Sequence, residues 1–202
     1  MYIVVLVYLF ICVLFPFLLK NFKIVGLIFI GEIMDRNKNI FLTGKPGVGK
    51  TTIIKKILDK LERSAGGIFT PELSEDGNRV GFKLVEVQGS DEGILASVNQ
   101  KKGPQVSKYK VNLEDLDKFS RKIEGAIEGD EEIIVIDEIG KMEMYSNKFK
   151  EVLEKAINSD KILLATLHRS LVIRYGNKGN MFKVTEDNRD ELPTEILKLI
   201  NY

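Results

Sequence analysis

The chain has 202 residues, of which 30 are lysine or arginine and 29 are aspartate or glutamate, so its formal net charge is +1. This length suits one domain, or one domain with an extension, that buries a core of its own. The balanced charge gives no support for a large basic surface, and specific nucleic-acid binding is therefore not predicted. A single cysteine and a single histidine exclude an intramolecular disulfide and a zinc site built from these residue types.

An apolar extension, residues 1–35, precedes the predicted domain, residues 36–202. Its stretch Tyr2–Leu19 contains no charged residue. As a helix this stretch would span roughly 27 Å, against a hydrocarbon thickness of about 30 Å, and Pro16 would kink it. One interpretation is a marginal membrane anchor, and the lysines that follow it would then keep the domain in the cytoplasm.

Two other interpretations of the extension remain open. It could be a helix that packs against the domain or a partner. Alternatively, the start is assigned too early, and Met34, which stands just before the first predicted strand, is the native first residue. A membrane partner is therefore expected only if residues 1–33 are expressed.

The first motif of the domain fits G-x-x-x-x-G-K-[ST], the phosphate-binding P-loop. It lies between a predicted strand, Asn39–Thr43, and a predicted helix, Thr51–Leu61, whose apolar residues have helical spacing. Backbone N–H groups of such a loop wrap phosphate oxygens, while Lys50 reaches the β- and γ-phosphates and the Thr51 hydroxyl binds Mg²⁺. The predicted nucleotide-binding residues here are Gly44, Lys45, Pro46, Gly47, Val48, Gly49, Lys50 and Thr51.

The next segment, residues 68–111, has the composition of β-structure inserted between the P-loop helix and the next core strand. Gly66-Gly67 is predicted to end the helix. Strands are predicted at Ile68–Thr70, Arg79–Val87 and Val106–Val111, with turn residues between them. On composition alone they are hairpins at the edge of a sheet. A helix with one apolar face is predicted over Leu113–Ile127.

A second acidic motif follows, in which the apolar run of Glu132–Glu138 ends in two carboxylates. Four consecutive β-branched residues predict a strand buried on both faces of a parallel sheet. Such a strand could simply end in polar residues at the solvent. Downstream of a P-loop, we favour Asp137 as the residue that holds Mg²⁺ with Thr51, and Glu138 as the base that takes a proton from the attacking water.

The interval between the two motifs also carries information. It is long enough for another strand and helix, which fits P-loop ATPases that place an extra strand between the two motif strands and carry a catalytic glutamate. The nearest match to a guanine-reading Asn-Lys-x-Asp motif is Asn177–Asn180, which lacks the aspartate. Guanine specificity is therefore unsupported.

The last third predicts a helix over Phe149–Ile157, a buried strand over Lys161–Thr166, a short strand over Met181–Val184 and a helix over Pro193–Ile200. Polar residues cluster where the buried strand ends. The candidates are Thr166 as a γ-phosphate sensor, His168 as a base, and Arg169 and Arg174 as arginine fingers. A buried strand-end hydroxyl, a structural imidazole and surface arginines are the simpler interpretations.

Five short motifs in order give the region from about 38 to 202 a family resemblance. It resembles the THEP-type nucleoside-triphosphatases, relatives of the cancer-related nucleoside-triphosphatase. The matching segments are GKPGVGKTT (44–52), GIFTPE (67–72), RVGF (79–82), KYKVN (108–112) and IDEIGKME (136–143). The resemblance implies Mg²⁺-dependent hydrolysis of nucleoside triphosphates with broad base tolerance. It also implies a second nucleotide-binding segment, formed by Ile133, Ile134, Val135, Ile136, Asp137, Glu138, Ile139 and Gly140.

The prediction is a three-layer α/β P-loop domain with a mostly parallel sheet and a β-rich insertion. Glu138 and Lys50 are the predicted catalytic residues, Thr51 and Asp137 the predicted Mg²⁺ ligands, and ATP, GTP, CTP, UTP and TTP the predicted substrates. One alternative is a kinase with an acceptor site formed by Phe69–Glu72 and Arg79–Phe82. Another is a membrane-tethered nucleotide switch that binds a partner.

Overall fold

The computed structural model describes residues 38–201. The three interpretations of residues 1–35, including the Met34 start, therefore concern residues outside the described part of the chain. Within residues 38–201, no helix is long and apolar enough to cross a membrane.

The described chain forms ten strands and five α-helices joined by short turns. The strands are β1 (Asn39–Gly44), β2 (Ala65–Phe69), β3 (Glu72–Glu75), β4 (Asn78–Glu86), β5 (Glu92–Ser97), β6 (Gln105–Val106), β7 (Tyr109–Val111), β8 (Ile133–Ile139), β9 (Ile162–Leu167) and β10 (Asn180–Val184). The α-helices are α1 (Lys50–Leu58), α2 (Leu113–Glu128), α3 (Asn147–Asn158), α4 (Val172–Tyr175) and α5 (Leu192–Ile200). Three 3₁₀ turns cover Glu143–Tyr145, Arg169–Leu171 and Gly176–Lys178.

All ten strands belong to one mixed sheet. Its order is β10-β1-β9-β8-β2-β4-β5-β7-β6, with β3 beside β4. The strands from β10 to β2 are parallel, whereas every pairing from β2 onward to β6 is antiparallel. The predicted α/β class is therefore confirmed, but the β-rich segment extends the same sheet and makes it mixed rather than mostly parallel.

Helices cover both faces of the parallel half of the sheet. One face packs against α1 and α5, whose buried residues include Ile53, Ile57 and Ile196. The other packs against α2 and α3, through residues such as Phe119 and Phe149. Strand β8 is buried on both faces, as its run of β-branched residues predicts. Because β1 and the four strands parallel to it, β10, β9, β8 and β2, all run in the same direction, their carboxyl ends meet at one edge of the sheet.

Two local predictions are wrong for packing reasons. Gly66-Gly67 lies inside β2 and does not end α1, which stops at Leu58. A Cβ atom on Gly66 would lie 2.5 Å from the Ala126 Cβ, so this glycine lets α2 approach the strand closely. The single strand predicted over Val106–Val111 is a hairpin, because the chain turns at Ser107, which has a positive φ of 56°.

Candidate functional site

The P-loop connects the buried strand β1 to the amino terminus of α1. Gly47 and Gly49 have φ angles of 73° and 107°, a left-handed region that glycine adopts without a steric cost. Lys45, Pro46 and Gly47 are exposed to solvent. Within the described chain, no side chain caps the amino terminus of α1. The N–H groups of its first turn are therefore available to a phosphate.

The P-loop threonine and the strand-end aspartate meet, as the sequence predicts. The Thr51 hydroxyl lies close enough to the Asp137 carboxylate to lower its pKa. The Thr166 hydroxyl donates to the same carboxylate, with 2.6 Å between Thr166 Oγ1 and Asp137 Oδ1. The Thr166 hydroxyl therefore orients one nearly buried carboxylate, and the Thr51 hydroxyl lies close to the same group.

The strand between the two motif strands is β9, which carries Thr166 at its carboxyl end. It follows Asp137 along the chain. The strand that the interval between the motifs supplies, β2, lies on the far side of β8. A strand does lie between the two motif strands, but the interval between the motifs does not supply it; β9 places Thr166 between the P-loop strand and Asp137. Its role as a γ-phosphate sensor stays a prediction.

Asp137 is only 4% exposed, and burial raises the pKa of its carboxyl. The nearby Thr166 and Thr51 hydroxyls and the positive charges of Lys50 and Lys55 oppose that rise. Within residues 38–201, no lysine or arginine forms an ion pair with this carboxylate. A buried carboxylate that lacks a cation partner is a suitable ligand for one.

The oxygen donors fit Mg²⁺. This ion prefers hard oxygen ligands and is usually held by one or two protein groups, waters and substrate phosphates. The described residues contain no group of three or more His, Cys, Asp or Glu side chains that could hold a metal alone. The Thr51 hydroxyl and the Asp137 carboxylate match the sparse protein set that a Mg²⁺–nucleotide complex uses.

Glu138 lies beside Asp137 where β8 departs from regular pairing. The register of β8 with β9 shifts between Ile136 and Ile139, so both carboxylates sit in an irregular stretch of strand. Burial raises the pKa of the Glu138 carboxyl, the charge of Lys50 opposes that rise, and Asp137 adds to it. A carboxylate whose pKa is raised toward neutrality is a better proton acceptor than a solvated one.

His168 and Arg174 have structural partners. His168 Nδ1 lies 2.7 Å from Ser170 Oγ and accepts a hydrogen bond from the Ser170 N–H. Its pKa is lowered by burial and by the charges of Lys141, Arg169 and Lys50. The Arg174 guanidinium lies 5.1 Å from the Tyr175 ring centroid. These contacts favour a structural imidazole, and the arginine-finger roles stay predictions.

The insertion motifs assemble into one cluster. Arg79 Nε donates to the Tyr109 hydroxyl at 3.1 Å, and its guanidinium also forms an ion pair with Glu72. The same guanidinium lies 5.3 Å from the centroid of the Phe82 ring. The charge of Arg79 is therefore engaged within the antiparallel strands. Phe69, by contrast, pairs in register with Asp137, so the segment after it lies at the catalytic edge.

Two residues near the site carry no predicted role. Glu143, in the 3₁₀ turn after β8, is 4% exposed, and burial raises its pKa to about 8. Its position in the segment 136–143 was visible in the sequence, but nothing in the pattern indicated that this glutamate, between Met142 and Met144, is buried. Arg189, in the loop after β10, lies with its Cδ 3.8 Å from where a Cβ of Gly49 would stand.

The chain is similar to known proteins over most of its length. A family model described as NTPase matches residues 39–197. Nucleoside-triphosphatase THEP1 from Methanocaldococcus jannaschii is 46% identical over 165 residues, which cover 80% of this chain and 96% of that protein.

Two solved structures share the fold. The crystal structure of THEP1 from Aquifex aeolicus matches with a TM-score of 0.69 at 28% identity, covering 81% of this chain and 99% of that one. The solution structure of a human cancer-related nucleoside triphosphatase matches with a TM-score of 0.66 at 30% identity, covering 80% and 96%. The family prediction is thereby confirmed: the chain belongs to the THEP1 nucleoside-triphosphatases and is a nucleoside-triphosphate hydrolase.

Proposed function

We propose that this domain hydrolyses Mg²⁺-bound nucleoside 5′-triphosphates to nucleoside diphosphate and inorganic phosphate, with low specificity for the base. The substrates would be ATP, GTP, CTP, UTP and TTP. The domain would work in the cytoplasm, where these nucleotides are made. The observation that carries the proposal is the convergence of Thr51, Thr166 and Lys50 on the Asp137 carboxylate at the end of β8.

Phosphate binding is assigned to the loop and its lysine. The amides of residues 44–51 would surround the β- and γ-phosphates, and the Lys50 ammonium would neutralise their charge. In the structure, Lys50 Nζ lies 3.4 Å from the Lys45 carbonyl oxygen, which holds the side chain along the loop. Binding of this kind reads the phosphates and not the base, which accounts for the proposed tolerance.

Thr51 and Asp137 would hold the Mg²⁺, with Thr166 orienting the Asp137 carboxylate by its 2.6 Å hydrogen bond. When bound, Mg²⁺ supplies positive charge against the phosphate oxygens. A hydroxyl that donates to one carboxylate oxygen leaves the other oxygen free to coordinate. The buried position of Asp137 keeps competing water away from this contact.

Glu138 is the proposed base. It would orient a water in line with the γ-phosphorus and take its proton as the new P–O bond forms and the bond to the β–γ bridging oxygen breaks. The products are the diphosphate and inorganic phosphate. Lys50 is close enough to act on the pKa of Glu138, so one cation would serve both the phosphates and the base. Such sites accelerate the reaction mainly by positioning and charge stabilisation.

A phosphotransferase is the second candidate, and one cavity favours it. A cavity of about 330 Å³ lies beside the loops that follow β8 and β9, lined by Gln105, Val106, Lys141, Met144, Tyr145 and Leu171. Its walls are largely apolar, with one lysine, and it would suit the body of an acceptor molecule.

The test is phosphate release from each of the five nucleotides with Mg²⁺ and no acceptor present. The proposal predicts kcat/KM values within about tenfold of one another, since base contacts worth less than about 1.4 kcal/mol separate them. Strong preference for one base would contradict low specificity. Near silence with all five nucleotides, relieved by an added alcohol or polynucleotide end, would favour the phosphotransferase.

A further inference from the structure

Glu143 is a buried acid that the proposed mechanism does not use. It lies in the 3₁₀ turn Glu143–Tyr145, five residues after Glu138, and is 4% exposed. Among the described residues, no lysine or arginine pairs with it. A buried carboxyl without a cation normally costs stability, so its presence beside the catalytic edge calls for a reason.

The side chain folds back onto the end of β8. The backbone N–H groups of Gly140 and of Glu143 itself lie near the Glu143 carboxyl and act to lower its pKa. The Met144 N–H donates to the Gly140 carbonyl oxygen at 3.3 Å, which closes the same turn. The carboxyl therefore ties the loop to the strand end that carries Glu138.

Gly140 brings the two glutamates together. A Cβ atom on Gly140 would lie 2.8 Å from Glu143 Oε2 and 3.3 Å from Glu138 Oε1. The two oxygens thus flank one backbone position and can be no farther apart than the sum of those distances. A side chain at this position would push one or both carboxyl groups out of their present positions.

The charges that act on Glu143 are both negative. They are Glu138 and Asp137, at the end of β8. Burial first, and then these carboxylates, raise its pKa to about 8, so the Glu143 carboxyl keeps its proton at neutral pH. When two neighbouring carboxyl groups have environments that separate their pKa values, one stays neutral while the other serves as the base.

We propose that Glu143 is the positioning residue for Glu138: its buried carboxyl packs against Gly140 and holds the loop after β8 in place beside the base. This role rests on the proposed function, in which Glu138 is the base. Above the pKa of Glu143 a second charge appears next to the base and near the phosphates, and turnover falls.

The test compares Glu143→Gln, Glu143→Leu and Glu138→Gln with the wild-type chain, from pH 6 to 9. Glutamine keeps an acceptor for the Gly140 N–H and never ionises, whereas leucine has similar volume and no acceptor. We expect Glu143→Gln to keep kcat within about threefold at pH 7 and to lose the fall in kcat near pH 8. We expect Glu143→Leu to lower kcat by about tenfold or more with nucleotide affinity within about threefold, because it displaces the base and not the phosphate loop. Glu151→Leu on the exposed face of α3 controls for the substitution itself.

A thermal-stability series gives an independent readout. The folded chain keeps a proton on Glu143 that the unfolded chain releases above its ordinary pKa of 4.5, so this group lowers stability as pH rises from 4.5 to about 8. The Tm of Glu143→Gln relative to the wild type should therefore rise over that window. This readout tests the protonation of Glu143; if Glu143→Leu does not fold, the pH profile of kcat in Glu143→Gln tests the positioning role.

Three results would overturn the role or its premise. An alkaline fall in kcat that persists unchanged in Glu143→Gln, or a folded Glu143→Leu with unchanged kcat, contradicts positioning by Glu143 while leaving the base in place. Unchanged turnover in Glu138→Gln rejects the base itself, and the positioning role with it.

Discussion

The two halves of the sheet differ in both chemistry and packing. In the parallel half, strands such as β8 and β9 are almost wholly buried, and polar residues appear only where the strands end. In the antiparallel half, strands β3 and β4 are partly exposed, and ion pairs join β4 to β3 through Arg79–Glu72 and to β5 through Lys83–Glu92. The parallel half places its charged residues at a buried edge of the sheet, whereas the antiparallel half distributes them over a solvent-exposed surface.

This contrast shows that only a small part of the chain contributes side chains to the proposed active site. The groups that act on Asp137 come from the end of β9, which carries Thr166, and from the start of α1, which carries Lys50 and Thr51. The guanidinium of Arg79 is as well bonded as any catalytic group, yet its partners are all in the antiparallel strands. The many polar contacts of Arg79 therefore belong to a structural cluster in the antiparallel strands. The few, buried polar contacts of Asp137 belong to the proposed active site.

The largest effect should come from the P-loop lysine in the parallel half. Lys50→Ala removes the cation that acts on both Asp137 and Glu138 and that would bind the phosphates. We expect kcat/KM to fall by about 10³-fold or more, with weaker nucleotide binding as well as slower turnover. Lys56→Ala, which loses only an exposed pair with Asp190, is the matched control. Turnover within about tenfold of the wild type would contradict the assignment.

The next effect tests the hydroxyl at the end of β9. Thr166→Val removes the 2.6 Å bond to Asp137 at nearly constant volume. Leaving a buried carboxylate oxygen without its donor costs about 1–3 kcal/mol. We therefore expect a lower free energy of unfolding and a higher Mg²⁺ concentration for the half-maximal rate. Denaturant unfolding and a Mg²⁺ titration measure the two.

Thr43→Val, at the end of the neighbouring strand, is the control for this substitution. The Thr43 hydroxyl is the one buried side-chain oxygen or nitrogen in residues 38–201 without a hydrogen-bond partner. Removing it should therefore leave stability unchanged or slightly higher. Equal effects of the two substitutions would show that the bond to Asp137 has no special role.

A smaller effect should come from the antiparallel half. Tyr109→Phe removes the acceptor of the Arg79 Nε–H. Because Arg79 is half exposed, water can replace that bond, and we expect a loss of about 0.5–1.5 kcal/mol in unfolding free energy with unchanged kcat. Tyr145→Phe, on a half-exposed tyrosine, controls for the hydroxyl. A tenfold fall in kcat would break the separation of the two halves, because it would bring the antiparallel cluster into the reaction.

The smallest effect should come from a surface ion pair. Glu92→Gln breaks the 2.8 Å contact with Lys83, in which both side chains are partly or mainly exposed. Exposed pairs contribute about 0–1 kcal/mol, so we expect a change below about 0.5 kcal/mol that disappears in 1 M salt. Urea unfolding at low and high salt measures it. A larger, salt-independent loss would show that this half is less open to solvent than its exposure indicates.

The features that could be predicted from the sequence are those that depend on a local pattern of residues. The P-loop needs a fixed spacing between flanking elements of different periodicity, so both the loop and its helix were predictable. The run before Asp137 has no polar residue, which predicts a strand buried on both faces. The segments around Gly66 and Ser107 were predicted wrongly because close packing against α2 and a turn with positive φ depend on residues far away in the chain or on backbone geometry.

The site is only partly a local property. That Thr166 would reach Asp137 depends on β9 lying between β1 and β8, an order that the sheet determines and the sequence pattern does not. Glu143 was invisible for the same reason, because its burial arises from the turn that packs it against Gly140. Charged residues are usually exposed, and tertiary structure overrides that expectation here.

The most direct measurement is turnover and nucleotide affinity of Glu138→Gln under saturating Mg²⁺. Glutamine has nearly the same shape as glutamate but cannot accept the proton, and Glu132→Gln at the opposite end of β8 is the control. The account predicts that ATP affinity stays within about threefold while kcat falls by about 10²–10⁴-fold, the usual contribution of a positioned base. Unchanged kcat in Glu138→Gln would contradict it.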